Sequence, residues 1–375
     1  MALPTVRRLL YADVLGAVAF VTLAFLSLFY FIDFVEELDD VGRGAYRVQH
    51  AALYCLLELP GHFYELFPIA VLIGTIYAMA RLAQSSEFTI LRTGGLGPGR
   101  ALGLLAALGL AFGLFTFAVG DYVAPWFDAR AASFRGAMRG DGQAGGGSGA
   151  WLKDRRLAGS DESPPGERAD SINIGRVRPG GRLEDVRIFE FDGEGRLLLR
   201  IAAARGRVGD GRWRLEDVRL TRWLVEADGP LPPEERLPEM TWQTQLTPSV
   251  VGAAVSPLRS MSTVDLYRYM SHLSENEQAA QRQEIQFWKK ALYPFACLVM
   301  VGLALPFAYL HARSGTISVK VFGGILLGIS FVLLNNVSSH LGLLRDWVPW
   351  VAAAAPSALY LLLSMAAFSW LVRYR

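Results

Sequence analysis

The chain has 375 residues, of which 52% are hydrophobic and 19% charged, an apolar share above that of ordinary soluble domains and one that points to the membrane class. A formal net charge of +2 gives no reason to expect a nucleic-acid partner. The two cysteines, Cys55 and Cys297, both stand in apolar context, which excludes a disulfide framework or a cysteine zinc site and leaves them as small core residues.

Charged residues cut the chain into apolar runs whose lengths can be compared with the roughly 20 residues that cross a bilayer. Val14 to Ile32 lies between Asp13 and Asp33. Leu66 to Ala80 is shorter, 15 residues between Glu65 and Arg81, and spans only by borrowing a turn at each end with Arg81 snorkelling. Ala101 to Gly120 and Ala291 to Leu310 are near-ideal, while Val321 to Leu344 and Trp347 to Val372 are long enough to span with tilt. Six spans result. Arg7, Arg8, Arg81, Arg92, Arg100, Arg313, Lys320, Arg373 and Arg375 fall on one side, so both termini are expected in the cytoplasm. Lys289 and Lys290 depart from that pattern, but they follow a long loop, where the rule is weak. The first span is read as a retained anchor, because "DFVEELDD" offers no small-residue cleavage site.

Between spans two and three, "RLAQSSEFTILRTGGLGPGR" forms a cytoplasmic loop with helix signals. Ser85 or Ser86 is a suitable N-cap, and Glu87 sits in the first turn, where the helix dipole favours an anion. Phe88 and Leu91 share a face, Arg92 lies in the last turn, and Gly94-Gly95 stops the helix.

After span three comes a helical extension, "DYVAPWFDARAASFRGAMRG", then a tract of linker composition, "DGQAGGGSGA". The long segment before span four is not apolar enough for membrane, and two groups of three spans put it outside the cytoplasm. Short runs with strand character follow one another: "SINIGRV", "EDVRIFEF" before Asp192-Gly193, "RLLLRIAAARGRV", "RWRLEDVRLTRW" and "MTWQTQL". Alternation in "RIFEF" and "RWRLEDVRL" puts apolar residues on one face, which reads as an all-β sandwich or open jellyroll. "STVDLYRYMSHLSENEQAAQRQEIQFW" is then a helical return into span four.

Several chemistries are missing from the sequence. None of the four lysines, Lys153, Lys289, Lys290 and Lys320, follows a glycine, so no P-loop can cradle a nucleotide. HExxH is absent, and the five histidines, His50, His62, His272, His311 and His340, are scattered and read as structural. The acidic cluster Glu36, Glu37, Asp39 and Asp40 is read as a solvated loop, and no metal ligand or catalytic residue is assigned.

The stretch "LFPIAVLIGTIYAMARLAQSSEFTILRTGGLGPGR" resembles the signature of the lipopolysaccharide-export permeases, the YjgP/YjgQ (LptF/LptG) family, and most resembles its LptG branch. The pattern is carried by Pro68, Ile69, Ala70, Leu72, Ile73, Gly74, Leu82, Ala83, Ser86, Glu87 and Gly94. "FVEELDDVGRGAY", "DYVAPWFDARAASFRGAM", "GAWLKD" and "TWQTQLTP" are further similarities, so the likeness runs over essentially the whole chain.

The resemblance implies an α-helical membrane protein of six spans with an inserted periplasmic jellyroll-like domain. Residues 1–135 would carry spans one to three with a coupling helix at about 84–94, residues 136–262 the β-domain, and 263–375 the connecting helix and spans four to six. It implies a non-enzymatic subunit of an inner-membrane ABC exporter, beside an LptF-like permease and an LptB-like ATPase dimer that uses ATP and Mg, so that this chain binds no cofactor itself. LptC-like and LptA-like proteins would receive the lipid. Glu87, with Phe88, Leu91 and Arg92 around it, is implied as the ATPase contact, and spans one and five as the cavity's lateral gates. Family members carry lysines near the outer end of span one, where this chain has Asp33, Asp39 and Asp40. Arg135, and with it Arg43 or Arg47, is therefore expected to take over phosphate contact, since arginine's planar fork suits phosphate. An LptF-type paralogue, or a permease for another lipid or lipoprotein, is the alternative.

Overall fold

The computed structural model describes residues 3–85, 98–139, 150–158, 166–178, 181–209, 211–223, 234–255, 260–275, 280–309 and 317–373. They form two compact units: Met1–Gly42, Arg47–Ala131 and Glu284–Arg375 make the first, and Arg43–Tyr46 with Ala132–Gln283 the second.

The first unit is helical. Helix α1 is Leu3–Glu37, followed by a 3-10 turn at Leu38–Asp40. Helix α2 is Val48–Gln84. Helix α3, Pro98–Ala118, starts on a proline, whose missing N–H costs nothing at a first helical position. It runs through a π-helical turn, Val119–Val123, into α4, Ala124–Arg139, the helical extension read from the sequence. Among the described residues, six helical stretches are long and apolar enough to cross a membrane, one over each run picked out above.

The run that is shortest in sequence lies in the most enclosed helix, with 78% of the apolar window of α2 buried. Glu58, His62 and Glu65 break its apolar run, yet the helix continues through them and through Pro60 and Pro68. Polar residues at membrane depth are tolerated where neighbouring helices rather than lipid face them. Arg81 does not simply snorkel either: its Nη2 donates to Asp13 Oδ1 of α1 at 2.6 Å.

Small residues set the helix contacts. A Cβ on Gly74 of α2 would lie 2.7 Å from the Cα and N of Val18 on α1. On α3, Gly109 and Gly113 face Leu298 and Pro294 of α7 (Gln281–Tyr309), the latter through the Pro294 carbonyl at 2.4 Å from the missing Cβ. Gly324 and Gly328 of α8 (Ile317–Leu344) admit Ile76 and Ile69 of α2. Glycines four apart let helix backbones approach closely, the means of packing where lipid offers no hydrophobic gain between helices. Helix α9, Pro349–Arg373, packs on α8 through Ser338 Oγ, which donates to the Ala352 carbonyl at 2.7 Å. Cys55 and Cys297 are buried free thiols.

The second unit is built on an antiparallel sheet with strands in sequence order: β1 Ala150–Ala158, β2 Gly166–Arg178, β3 Arg182–Phe191, β4 Leu197–Val208, β5 Arg212–Arg222 and β6 Glu234–Gln243. Strand β1 carries too many charges (Lys153, Asp154, Arg155, Arg156) to show as a strand in sequence, and the five runs read there are β2 to β6. The Asp192-Gly193 turn closes β3 onto β4. Asp192 Oδ1 accepts from the amides of Glu194 and Arg196, and the Arg196 guanidinium holds the carboxyl below its ordinary range.

Strict alternation does not describe these strands. In β5, Trp213 and Leu215 are buried, but so are Val218 and Leu220, of opposite parity; β3 does the same with Leu183 and then Val186 and Ile188. The switch falls at Asp185 and Asp217, both at φ 55°, within a repeated Leu-Glu-Asp-Val-Arg. Aspartate is among the residues that tolerate this left-handed region. The registers place Gly175, Asp185, Ala204, Asp217 and Pro238 on one row across β2 to β6, between paired neighbours on either side. The interior face thus stays apolar on both sides of the row. Gly175 is needed there because a Cβ would sit 2.9 Å from that of Asp185. Pro238 is allowed because β6 is an edge strand.

The core gathers Leu152, Ile172, Ile188, Ile201, Trp213 and Trp242 under α5 (Pro248–Val255), and α6 (Thr263–Glu275) leads back toward α7. Although β1 and β6 lie at opposite edges of the sheet, Asp154 of β1 accepts from Thr244 Oγ1 at 2.6 Å and from the Gln245 amide at 3.1 Å. The sheet is therefore rolled. Leu246, whose amide donates to Thr244 Oγ1, in turn accepts from the Trp213 indole. Hydrogen bonds to a buried carboxylate contribute about 1.5–3 kcal/mol. Asp154→Ala should destabilise the β-domain by about that much and raise amide exchange at Gln245 in the full chain; unaltered exchange there would remove the closure role.

Candidate functional site

The residues expected to meet an ATPase, Glu87, Phe88, Leu91 and Arg92, lie outside the described residues, as do His311 and Arg313. Their flanks are described. Helix α2 ends with the Ser85 amide donating to the Arg81 carbonyl, and α3 starts at Pro98, so the loop is framed by two membrane-length helices. The Asp13–Arg81 pair ties the same end of α1 to α2.

The residues expected near phosphate are distributed as follows. Arg135 lies on α4, and Arg43 on the segment Arg43–Tyr46, which docks on the end of that helix. The Ala45 amide donates to the Met138 carbonyl at 2.9 Å, Gly44 (φ 60°) leaves room only for a hydrogen against Arg139 O, and the Arg139 guanidinium stands 5.3 Å from the Tyr46 ring centre. The fold therefore brings Arg43 and Arg135 into one unit. Arg47 instead stands at the N-cap of α2, its amide donating to His50 Nδ1.

Three polar associations were not legible in the sequence. Asp33, which marks the end of span one in the sequence, meets His62 of α2 with Oδ2 2.6 Å from Nε2. Lys290, which broke the charge pattern, is buried inside the helical unit, where Nζ donates to the Gly120 carbonyl at 3.2 Å. It packs within the helical unit. Tyr293 donates to the Tyr64 carbonyl one turn further on, and a Cβ on Gly120 would collide with the Tyr64 ring at 2.1 Å, so the π-helical turn is held by α2 and α7 together. Among the described residues, Asp33, Glu58 and His62 are the group whose ligand atoms converge closely enough to hold a cation.

The apolar surface of the helical unit is uneven. Helix α1 keeps Val14 and Val18 against α2 but exposes Phe20, Leu23 and Phe31 on its other faces, and α8 likewise exposes Val319, Phe322 and Leu333. Over residues 8–372 the chain matches the family described as lipopolysaccharide export system permease LptF/LptG. It belongs to that family. Among curated relatives it is similar to the lipopolysaccharide export system permease protein LptG of Haemophilus influenzae, at 27% identity over 362 residues and 96% of both chains. It is also similar to the LptG of Escherichia coli K12, at 28% identity over 346 residues and 91% of both chains. Six membrane-length helices and an antiparallel β-sheet inserted between the third and the fourth are thus, among the described residues, the parts of this LptF/LptG family member. Gly74, one of the glycines in the stretch that carried the resemblance, is a contact point of α1 and α2.

Proposed function

We propose that the chain is the LptG-type permease of an exporter that takes lipopolysaccharide from the inner membrane and passes it to a periplasmic bridge, driven by ATP hydrolysis in a separate subunit. The observation that carries this reading is the match over residues 8–372 to a family of lipopolysaccharide export permeases. The lack of any P-loop lysine in the sequence agrees with hydrolysis by a partner. Both termini and the loop at 86–97 face the cytoplasm in this reading, and the β-domain faces the periplasm. The exposed apolar faces of α1 and α8 are the gate surfaces, turned to lipid and to an LptF-like permease. An LptB-like ATPase dimer binds the loop around Glu87, and LptC-like and LptA-like proteins accept the lipid beyond the β-domain.

The test is photo-crosslinking of lipopolysaccharide from probes on α1, α8 and the β-domain, with and without ATP. Labelling of the β-domain only with ATP is expected; equal labelling without ATP would overturn the ordering. Depletion that traps lipoprotein rather than lipopolysaccharide in the inner membrane would favour the alternative cargo.

Arg135 is the phosphate contact in this reading. Arg135→Glu replaces attraction by repulsion and should reduce lipid crosslinking near α4 about tenfold or more, the effect of roughly 1.4 kcal/mol or more at a partly desolvated charge pair. Unchanged crosslinking and transport would remove Arg135 from the lipid path.

A further inference from the structure

We propose that Asp33, Glu58 and His62 form a binding site for a divalent cation of the zinc or manganese class, joining α1 to α2. Asp33 lies near the end of α1, and Glu58 and His62 lie one turn apart on α2, so that i, i+4 spacing puts both on the face turned to α1. One ligand atom from each residue lies within 4.8 Å of the other two. The side chains of His62 and Asp33 are only 22% and 20% exposed, so the group is sheltered without being sealed.

Two observations separate this group from a plain cluster of acids. The first is the donor set. One imidazole nitrogen with two carboxylates suits zinc or manganese, whereas magnesium and calcium favour oxygen alone. The second is the contact of Asp33 with His62. Oδ2 and Nε2 are 2.6 Å apart, yet Asp33 Oδ2, shielded from solvent, accepts no hydrogen bond. The two side chains therefore meet as a short ion pair off the geometry of a full hydrogen bond, which offsets the desolvation of the carboxylate only in part. A cation supplies the remaining compensation.

The surroundings fit a ligand set that is held in place. Tyr54 OH donates to Glu58 Oε1 at 2.5 Å and directs that carboxylate, and the His62 ring lies 5.4 Å from the ring of Phe29, one turn before Asp33. Metal-binding side chains are ordinarily oriented by such outer contacts. Tetrahedral zinc with bonds of about 2.0–2.1 Å separates its donors by about 3.3 Å. The Asp33–His62 contact must therefore open by less than about 1 Å, which side-chain rotation alone provides. Three protein donors leave a fourth position for water or another oxygen ligand.

The experiment is a titration of the purified full-length protein, with its co-purifying subunits, by Zn2+ and by Mn2+ after chelator treatment, read as metal content per chain and as Mn2+ electron spin resonance. One saturable site per chain is expected, with affinity falling about 10- to 100-fold in His62→Gln and Asp33→Asn and held within about threefold in Asp39→Asn. His62→Asp, which restores a donor, should recover manganese better than zinc and reports on the site even if His62→Gln folds poorly. No saturable ion, or an ion whose affinity ignores His62 and Asp33, would leave an ordinary imidazolium–carboxylate pair and overturn the proposal. The readout needs neither lipid nor ATP, so it stands or falls apart from the transport reading.

Discussion

Glu87→Lys is expected to strip the ATPase from the purified complex while leaving the chain itself folded in the membrane. The sequence places Glu87 in the first turn of an expected helix over "SSEFTILR", where its charge would match the helix dipole, with Phe88 and Leu91 expected on an apolar face beside it. Truncating one partner of a buried interfacial charge pair costs about 2–5 kcal/mol, and reversing its sign adds repulsion. Retention of the ATPase should fall on the order of a hundredfold, and lipid export with it. Glu87→Gln should lose less, because the amide keeps an acceptor and adds no repulsion. In the sequence the position stands in a polar stretch between two apolar spans, so membrane abundance should be close to that of the parent. Co-purification at parental levels by Glu87→Lys would falsify the coupling role.

Gly74→Val is expected to destabilise the helical unit strongly. A Cβ at this position would stand 2.7 Å from the Cα and N of Val18, and those are backbone atoms of α1, which cannot rotate away as a side chain can. Both helices must separate along their shared seam. Overpacking a well-fitted core costs about 1–3 kcal/mol for added methylenes, and occasionally more. Gly74→Ala should reach that range and Gly74→Val exceed it. Separation would also strain Asp13–Arg81 and Asp33–His62, which link α1 to α2 on either side of Gly74. The measurement is the thermal midpoint and yield of the detergent-purified chain. Gly99→Val, where a Cβ would meet nothing within 4 Å, is the control. A Gly74→Val protein as stable as that control would show that the seam opens freely.

Much of the architecture could be read from the chain because it rests on local properties. Apolar run length marked the six spans, and composition marked the polar insert between the third and fourth. The periodicity argument failed in instructive places. The span at Leu66–Ala80 looked too short because Glu58, His62 and Glu65 interrupt it, and only the burial of α2 explains how polar residues persist there. Strand β1 was hidden by Lys153, Asp154, Arg155 and Arg156. The apolar residues of "RWRLEDVRL" do share one face as read, but simple alternation is not the reason, since a left-handed Asp217 brings Val218 inside beside Leu215. The repeated Leu-Glu-Asp-Val-Arg was the available signal for that change of parity.

The sequence by itself determined the membrane class, the order of the elements, the likeness to lipopolysaccharide export permeases and the lack of a P-loop lysine. These follow from hydropathy, turn chemistry and motif, each of which acts over a few residues. Only the tertiary structure decided which polar groups meet: Asp13 with Arg81 across 68 positions, Thr244 with Asp154 across 90, and Lys290 with the Gly120 carbonyl across 170. Such pairs are fixed by how closely the helices approach and how the sheet rolls, and a charge in a one-dimensional pattern carries no record of the partner that packing brings to it.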